Sequence, residues 1–322
     1  MQIGKDHYYA AHTVALRREL SEVLPREQLR DLHQRQPWRH FLVLARQLAI
    51  FFISSYLLIR FSDPWIWVPL AFVQGLTIFN FTVMLHEVVH RTAVDASHER
   101  INSLLGFLYA FPSGISCTQF TKWHLDHHAE LGSDQDDPKR NKLSPKVNRR
   151  WYKLLYFSPA LFPIYFRAAR KESSTYPPHL QRRISIERNV TILAHLLIAA
   201  LIGSLAGWYA LLRVYIIPYF FIFPIAFAVN RLGQHYDIDP ADPAKWSTRM
   251  KRSIFWDAAY LWSGYHLEHH YFPNIPFYNL RRLNKLLEPM FERHQIQPRS
   301  YARLLYLYLI KNKKPHSDWD FV

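Results

Sequence analysis

The sequence predicts an all-α integral membrane protein with four crossings, on three observations: four long uncharged stretches, a one-sided charge map and clustered histidines. Averages over the 322 residues hide this. Hydrophobic residues make up 49% and mean hydropathy is -0.16, values of an ordinary soluble protein. The apolar residues are concentrated, however. Residues 41–60 are apolar but for Arg46 and the closing Arg60, and 64–85, which lead into His86, carry no charge at all. Between Arg188 and Arg231 the one charge is Arg213, in a run about twice the roughly 20 residues that a single crossing needs. Two helices, 189–208 and 211–230, with a tight turn at Gly207–Trp208, account for that run. Core helices of a soluble protein rarely stay uncharged beyond about 18 residues.

The charge map sets the topology. Residues 1–40 carry 7 basic and 5 acidic groups, 87–188 carry 16 and 10, and 230–322 carry 14 and 9. The other two connections are tiny, Arg60-Phe61-Ser62-Asp63 and a few residues before Arg213. Four crossings put every sizeable segment on one side, and the positive-inside rule makes that side the cytoplasm, with both termini there. Trp65, Trp67, Trp208 and Tyr209 stand where an aromatic belt marks the far interface.

The remaining segments are read more briefly. The charged first forty residues lack the apolar core of a secretory signal, and 13–24 (Thr13 to Leu24) form an amphipathic pattern suited to a surface. Residues 104–117 and 151–166, interrupted by Pro112, Pro159 and Pro163, are expected to be interfacial or re-entrant helices. The single cysteine, Cys117, excludes a disulfide framework and any Cys-based metal site. The basic excess does not signal nucleic acid, since no such motif is present; anionic lipid headgroups or an acidic protein partner suit it better.

Half of the 18 histidines fall in tight groups. His86-Glu87-Val88-Val89-His90 ends the second span, and His124-Leu125-Asp126-His127-His128 follows it. His235 stands beyond the fourth span, and His266-Leu267-Glu268-His269-His270 lies near the C-terminus. Helical spacings of three and four place each set on one face, as convergent ligation requires. A 22-residue span rises roughly 33 Å and delivers His86 to the cytoplasmic boundary, where all four groups can meet. Nine imidazoles suit two metals with four or five ligands each, and a nitrogen-only set suits iron, zinc, copper or nickel rather than magnesium or calcium. Glu87, Asp126 and Glu268 are expected behind the ligands, accepting the second ring N–H of an imidazole. Such a site at a membrane surface suits redox chemistry on a long apolar chain, because unactivated C–H bonds resist acid–base and nucleophilic attack.

The boxes HEVVH, HLDHH and HLEHH, the last continuing as HHYFPNIPFYNL, resemble those of the membrane-bound fatty acid desaturase family over roughly residues 40–290. The resemblance implies a four-helix membrane bundle with a cytosolic helical cap and a non-haem di-iron centre. It implies O2 as co-substrate and two electrons from a separate ferredoxin- or cytochrome b5-type donor, since no fused His-Pro-Gly-Gly haem domain is present. The substrate would be a fatty acyl chain, free, lipid-bound or carrier-bound, and the product a C=C bond. Carried over residue by residue, the iron ligands would be His86, His90, His124, His127, His128, His235, His266, His269 and His270. Asn230 would hold a metal-bound water, and residues 41–322 would be one domain behind a cytosolic segment 1–40. Three residues between the histidines of the first box match acyl-lipid and sphingolipid desaturases and many hydroxylases.

Hydroxylases, carotenoid oxygenases and an alkene-forming decarboxylase share the scaffold and remain alternatives. From another class, His86-Glu87-x-x-His90 also reads as a zinc metalloprotease signature, with Glu as base. That reading leaves seven clustered histidines unexplained. A metal transporter would place ligands inside the spans, where only His195 and Arg46 lie. His195 would line a path or pack; Trp123 and Trp262 would wall an acyl tunnel or anchor at the interface. The acidic run 134–137 reads as a solvated loop, and His98 as a possible extension of the first box.

Overall fold

The computed structural model describes residues 7–314, Ala96 excepted. His316, one of the isolated histidines, lies outside the described residues. Those residues are helical, with one isolated bridge, Met250 to Arg299, as the sole extended pairing among them. Their contacts divide into two units. One comprises 1–35, 122–154 and 229–322; the other comprises 36–121 and 155–228.

The second of these units contains most of the apolar length. Among the described residues four helices are long and apolar enough to cross a membrane: within Arg26–Arg60 (helix Pro37–Arg60), Pro64–Val89, Pro178–Ala206 and Trp208–His235. The protein is thus an all-α membrane protein. Proline opens the first three, where a missing N–H costs nothing, and Asp63 caps the second by accepting from the Trp65 amide at 2.9 Å. Gly207, at φ 83, makes the expected turn between the last two.

The second span runs on to Val89, so the first box closes it on its last turn, as the sequence reading has it. Two features differ from that reading. The third span begins at Pro178, well before Asn189, because Arg182, Arg183 and Arg188 end the apolar stretch without ending the helix. Pro163 does not interrupt its segment; it sits in the first turn of helix Leu161–Ser173, where no amide is required.

Packing within this unit is uneven in an informative way. The best apolar window of the third span is only 6% buried, while that of the second is 67% buried. Leu196, Leu197 and Leu205 are 63%, 62% and 79% exposed, which suits a helix facing lipid tails and would be costly in water. The second span meets the fourth through Gly75, where an added Cβ would lie 2.5 Å from Ile222 Cβ and 2.7 Å from the Pro218 carbonyl oxygen. Small residues permit such backbone approach in membranes, where lipid tails are as apolar as leucine. Residues 212–222 coil in a wider π-helical turn around Pro218, which relieves the carbonyl clash of an interior proline.

The other unit holds the N-terminal helices, the second and third boxes and the C-terminal segment. The amphipathic helix Val14–Val23 is a surface element whose stripe is covered: Leu16, Leu20 and Leu24 are buried. Glu19 on this helix binds His294 at 2.7 Å and Arg293 at 3.1 Å. Tyr9, Leu131 and Trp246 form a core, tight enough that a Cβ on Gly132 would meet the Trp246 ring at 2.5 Å. Lys153 is fully buried and donates to the carbonyls of Tyr308 and Lys313 and to Asn312 Oδ1, which ties down the C-terminal segment.

Candidate metal centre

Seven of the nine clustered histidines lie in the unit that holds the second and third boxes. Helix Cys117–Ala129 carries His124, His127 and His128; helix His266–Tyr271 carries His266, His269 and His270; His235 ends helix Phe223–His235. All seven are buried, between 1% and 7% exposed. Just before the third box, Leu261 and Trp262 take left-handed backbone (φ 48 and 59), a strained conformation for bulky residues that aims the box helix inward.

His127, His235, His266 and His270 form one set, each offering a ligand atom within 4.8 Å of the others. Their Nε2 atoms approach at 3.0 Å (127 to 235), 3.0 Å (235 to 266), 3.1 Å (266 to 270) and 3.4 Å (235 to 270). Nitrogens bound roughly 2.0–2.1 Å from one ion stand about 2.9–3.4 Å apart, so these spacings are those of a coordination sphere. The outer ring nitrogens settle the tautomers. His127 Nδ1 is 2.8 Å from a carboxylate oxygen of Asp137, and His235 Nδ1 is 3.4 Å from the Trp246 carbonyl. Both partners accept, so Nδ1 carries the hydrogen in each ring and the two Nε2 lone pairs face each other at 3.0 Å. Buried lone pairs at that distance repel unless a cation lies between them. The donor set therefore fits a metal.

His124, His128 and His269 form a second set, with ligand atoms again within 4.8 Å of one another and Nε2 of His128 and His269 3.1 Å apart. Lys139 Nζ is 2.7 Å from His124 Nδ1. Burial and the charge of Arg231 pull this amine down to about 7, against the opposing pull of Asp137. In the other unit, His86 and His90 stand with ring centroids 4.8 Å apart, His90 buried and His86 half-buried.

The expected carboxylates have different surroundings. Glu268 is fully buried, clamped by the Asn284 amide, and burial pushes its carboxyl up to about 7. Its Oε2 has no hydrogen-bond partner among the described residues. Glu87 is buried; it accepts from the Thr92 hydroxyl at 2.7 Å and stands 3.6 Å from His86 Nδ1. Asp126 is half-buried and pairs with Lys122 one turn away. The carboxylate that His127 does use is Asp137, 2% exposed and also accepting from the Lys139 amide, so the run 134–137 is not wholly a solvated loop. Nothing local marked Asp137, since its role rests on a contact ten residues away that closes through the turn at Gly132. Asn230 has its amide committed to Ser263 and Gln234. Trp123 is 3% exposed, which removes the interfacial reading for it, and His98 starts helix Glu99–Ala110 as an exposed residue beside Ser97.

Four apolar spans and buried all-imidazole clusters define an integral membrane protein equipped to hold metal. The family pattern described as Fatty acid desaturase matches residues 62–302. The chain belongs to that family, and is thereby an oxidoreductase acting on fatty acyl chains. It is similar to the omega-3 fatty acid desaturase, chloroplastic, of Glycine max, at 25% identity over 86% of this chain and 66% of the relative. It is also similar to the sn-1 acyl-lipid omega-3 desaturase (ferredoxin) of Synechocystis, at 24% over 77% of this chain and 76% of the relative. The sphingolipid delta(4)-desaturase/C4-monooxygenase of Homo sapiens is 26% identical over 87% of this chain and 78% of the relative.

Proposed function

We propose that the protein introduces a C=C bond into an acyl chain carried on a membrane lipid, using O2, two electrons from a separate protein donor and two non-haem irons. The convergence of four Nε2 atoms from His127, His235, His266 and His270 carries this reading. It gives one metal a complete imidazole set, and His124, His128 and His269 supply most of a second. His86 and His90, carried over from the family's first box, are the remaining proposed iron ligands. The reaction balances as CH2–CH2 plus O2, two electrons and two protons giving CH=CH and two waters. Bound iron supplies the oxidising power that no side chain here possesses.

The chain's own residues then act by position. Asp137 and the Trp246 carbonyl hold Nδ1 hydrogens and keep His127 and His235 in the ligating tautomer. Burial of both sets keeps water from competing with the acyl chain for the oxidant. The first box, with its three intervening residues, and the names of the plastid and cyanobacterial relatives support a lipid-linked substrate and a ferredoxin-type donor. The excess of Lys and Arg over Asp and Glu in every long segment outside the spans supports an active site and termini on the cytoplasmic side.

The test is expression in a host with a simple lipid composition, followed by analysis of acyl chains by class. A new double bond in glycerolipids that needs O2 and disappears with His269→Ala supports the assignment. A hydroxylated chain or a terminal alkene as the sole product would replace desaturation with one of the other outcomes of the same scaffold.

A further inference from the structure

The unit that contains most of the span length holds a cleft of about 750 Å3, formed by helix Leu161–Ser173, the third span and residues 212–222. No histidine of the boxes lines it. Its lining includes three arginines, Arg167, Arg170 and Arg188, and no acidic residue. Among the described residues none of the three arginines has a carboxylate partner. Beyond Arg188 the wall turns apolar through Ile192, Leu196, Ala199, Ile216 and Phe220.

We propose that this cleft is a binding site for a phospholipid with an anionic head group, one acyl chain lying along the third span and the phosphate among Arg167, Arg170 and Arg188. Three arguments converge on that occupant. The first is charge: planar guanidinium groups pair with phosphodiester oxygens through two parallel hydrogen bonds, and a cluster of three favours an anionic lipid over a zwitterionic one.

The second is length. From Arg188 to Ala199 the helix rises about 16 Å, half of the roughly 30 Å hydrocarbon core, so the cleft matches one chain of one leaflet. The third is the state of the polar groups in the apolar part. His195 is held between the Tyr215 hydroxyl at 2.6 Å and the Phe111 carbonyl at 2.9 Å, and Tyr219 donates to the Ser113 carbonyl at 3.2 Å. Their hydrogen bonds are made within the wall, so the tail region asks nothing polar of its occupant. A chain held against no box histidine is a resident lipid and not the reacting chain.

The experiment uses full-length protein in a mild non-ionic detergent. Thermal unfolding is followed while dioctanoyl phosphatidylglycerol or dioctanoyl phosphatidylcholine is added, for wild type, the triple variant Arg167→Gln/Arg170→Gln/Arg188→Gln, and Leu196→Trp, which fills the apolar end. Native mass spectrometry of wild type reads the lipid that co-purifies. Expected are a saturable rise in Tm with the anionic lipid, at least tenfold weaker half-saturation with the zwitterionic one, and about one anionic phospholipid per chain.

The triple variant should lose the preference and Leu196→Trp the response. An equal response of wild type to both lipids, or none, overturns the proposal without reference to any variant. If free fatty acid displaces the retained lipid and the triple variant raises KM for the acyl substrate, the cleft is a substrate channel and the proposal also fails.

Discussion

Replacing Asp137 tests whether the ligand tautomers are set by the protein. Asp137 Oδ1 accepts from His127 Nδ1 at 2.8 Å and from the backbone amides of Lys139 and Arg140 at 2.9 and 3.3 Å. Asparagine keeps an oxygen in that place and removes only the charge; alanine removes the acceptor and leaves two amides unsatisfied. Loss of a partner behind a metal-bound histidine costs 10–100-fold in affinity, about 1.4–2.7 kcal/mol at 1.36 kcal/mol per factor of ten. We expect Asp137→Asn near the lower figure and Asp137→Ala near the upper. The assay is release of metal from detergent-purified protein to a chelator of graded concentration, with fold checked by helical circular dichroism. If both variants hold metal as wild type does, Asp137 merely caps the turn at Lys139 and Arg140, and the argument from lone pairs is wrong.

Three further outcomes follow from the geometry. Wild type should carry two metals per chain and His127→Ala about one, by elemental analysis; one metal in wild type, unaffected by His127→Ala but lost with His86→Ala, would restore the zinc protease reading. In the metal-free protein Glu268 titrates at about 7 when folded and near 4.5 when unfolded, so the folded state alone keeps its proton between those values. Stability of wild type relative to Glu268→Gln should therefore fall as pH rises from 4.5 to 7, by up to about 3 kcal/mol; a difference that is the same at pH 4.5 and 7.5 would show that burial does not hold the proton there. Gly75→Ala should cost about 1–3 kcal/mol in detergent unfolding, because the Pro218 carbonyl at 2.7 Å belongs to backbone that cannot rotate away. A neutral Gly75→Ala would mean that the second and fourth spans are less tightly packed than described.

The sequence by itself determined the all-α membrane class, the number of spans, the turn at Gly207 and the identity of the clustered histidines. These are local properties: uncharged length, a glycine free to take positive φ, and helical spacing of three and four that puts imidazoles on one face. Where the apolar pattern and the helix part company, at Pro178, the sequence misplaced the start of the third span, because charge ends hydropathy without ending hydrogen bonding along the backbone. What only the tertiary structure decided is which histidine faces which. His235 joins His127, His266 and His270 across chain separations of 108, 31 and 35 residues, and no periodicity encodes such pairings. The same holds for the groups behind the ligands. Asp126 sits inside its box yet points to Lys122, while Asp137 and the Trp246 carbonyl, outside every box, reach the rings, because a helix fixes only which face a side chain leaves from and folding fixes what it meets.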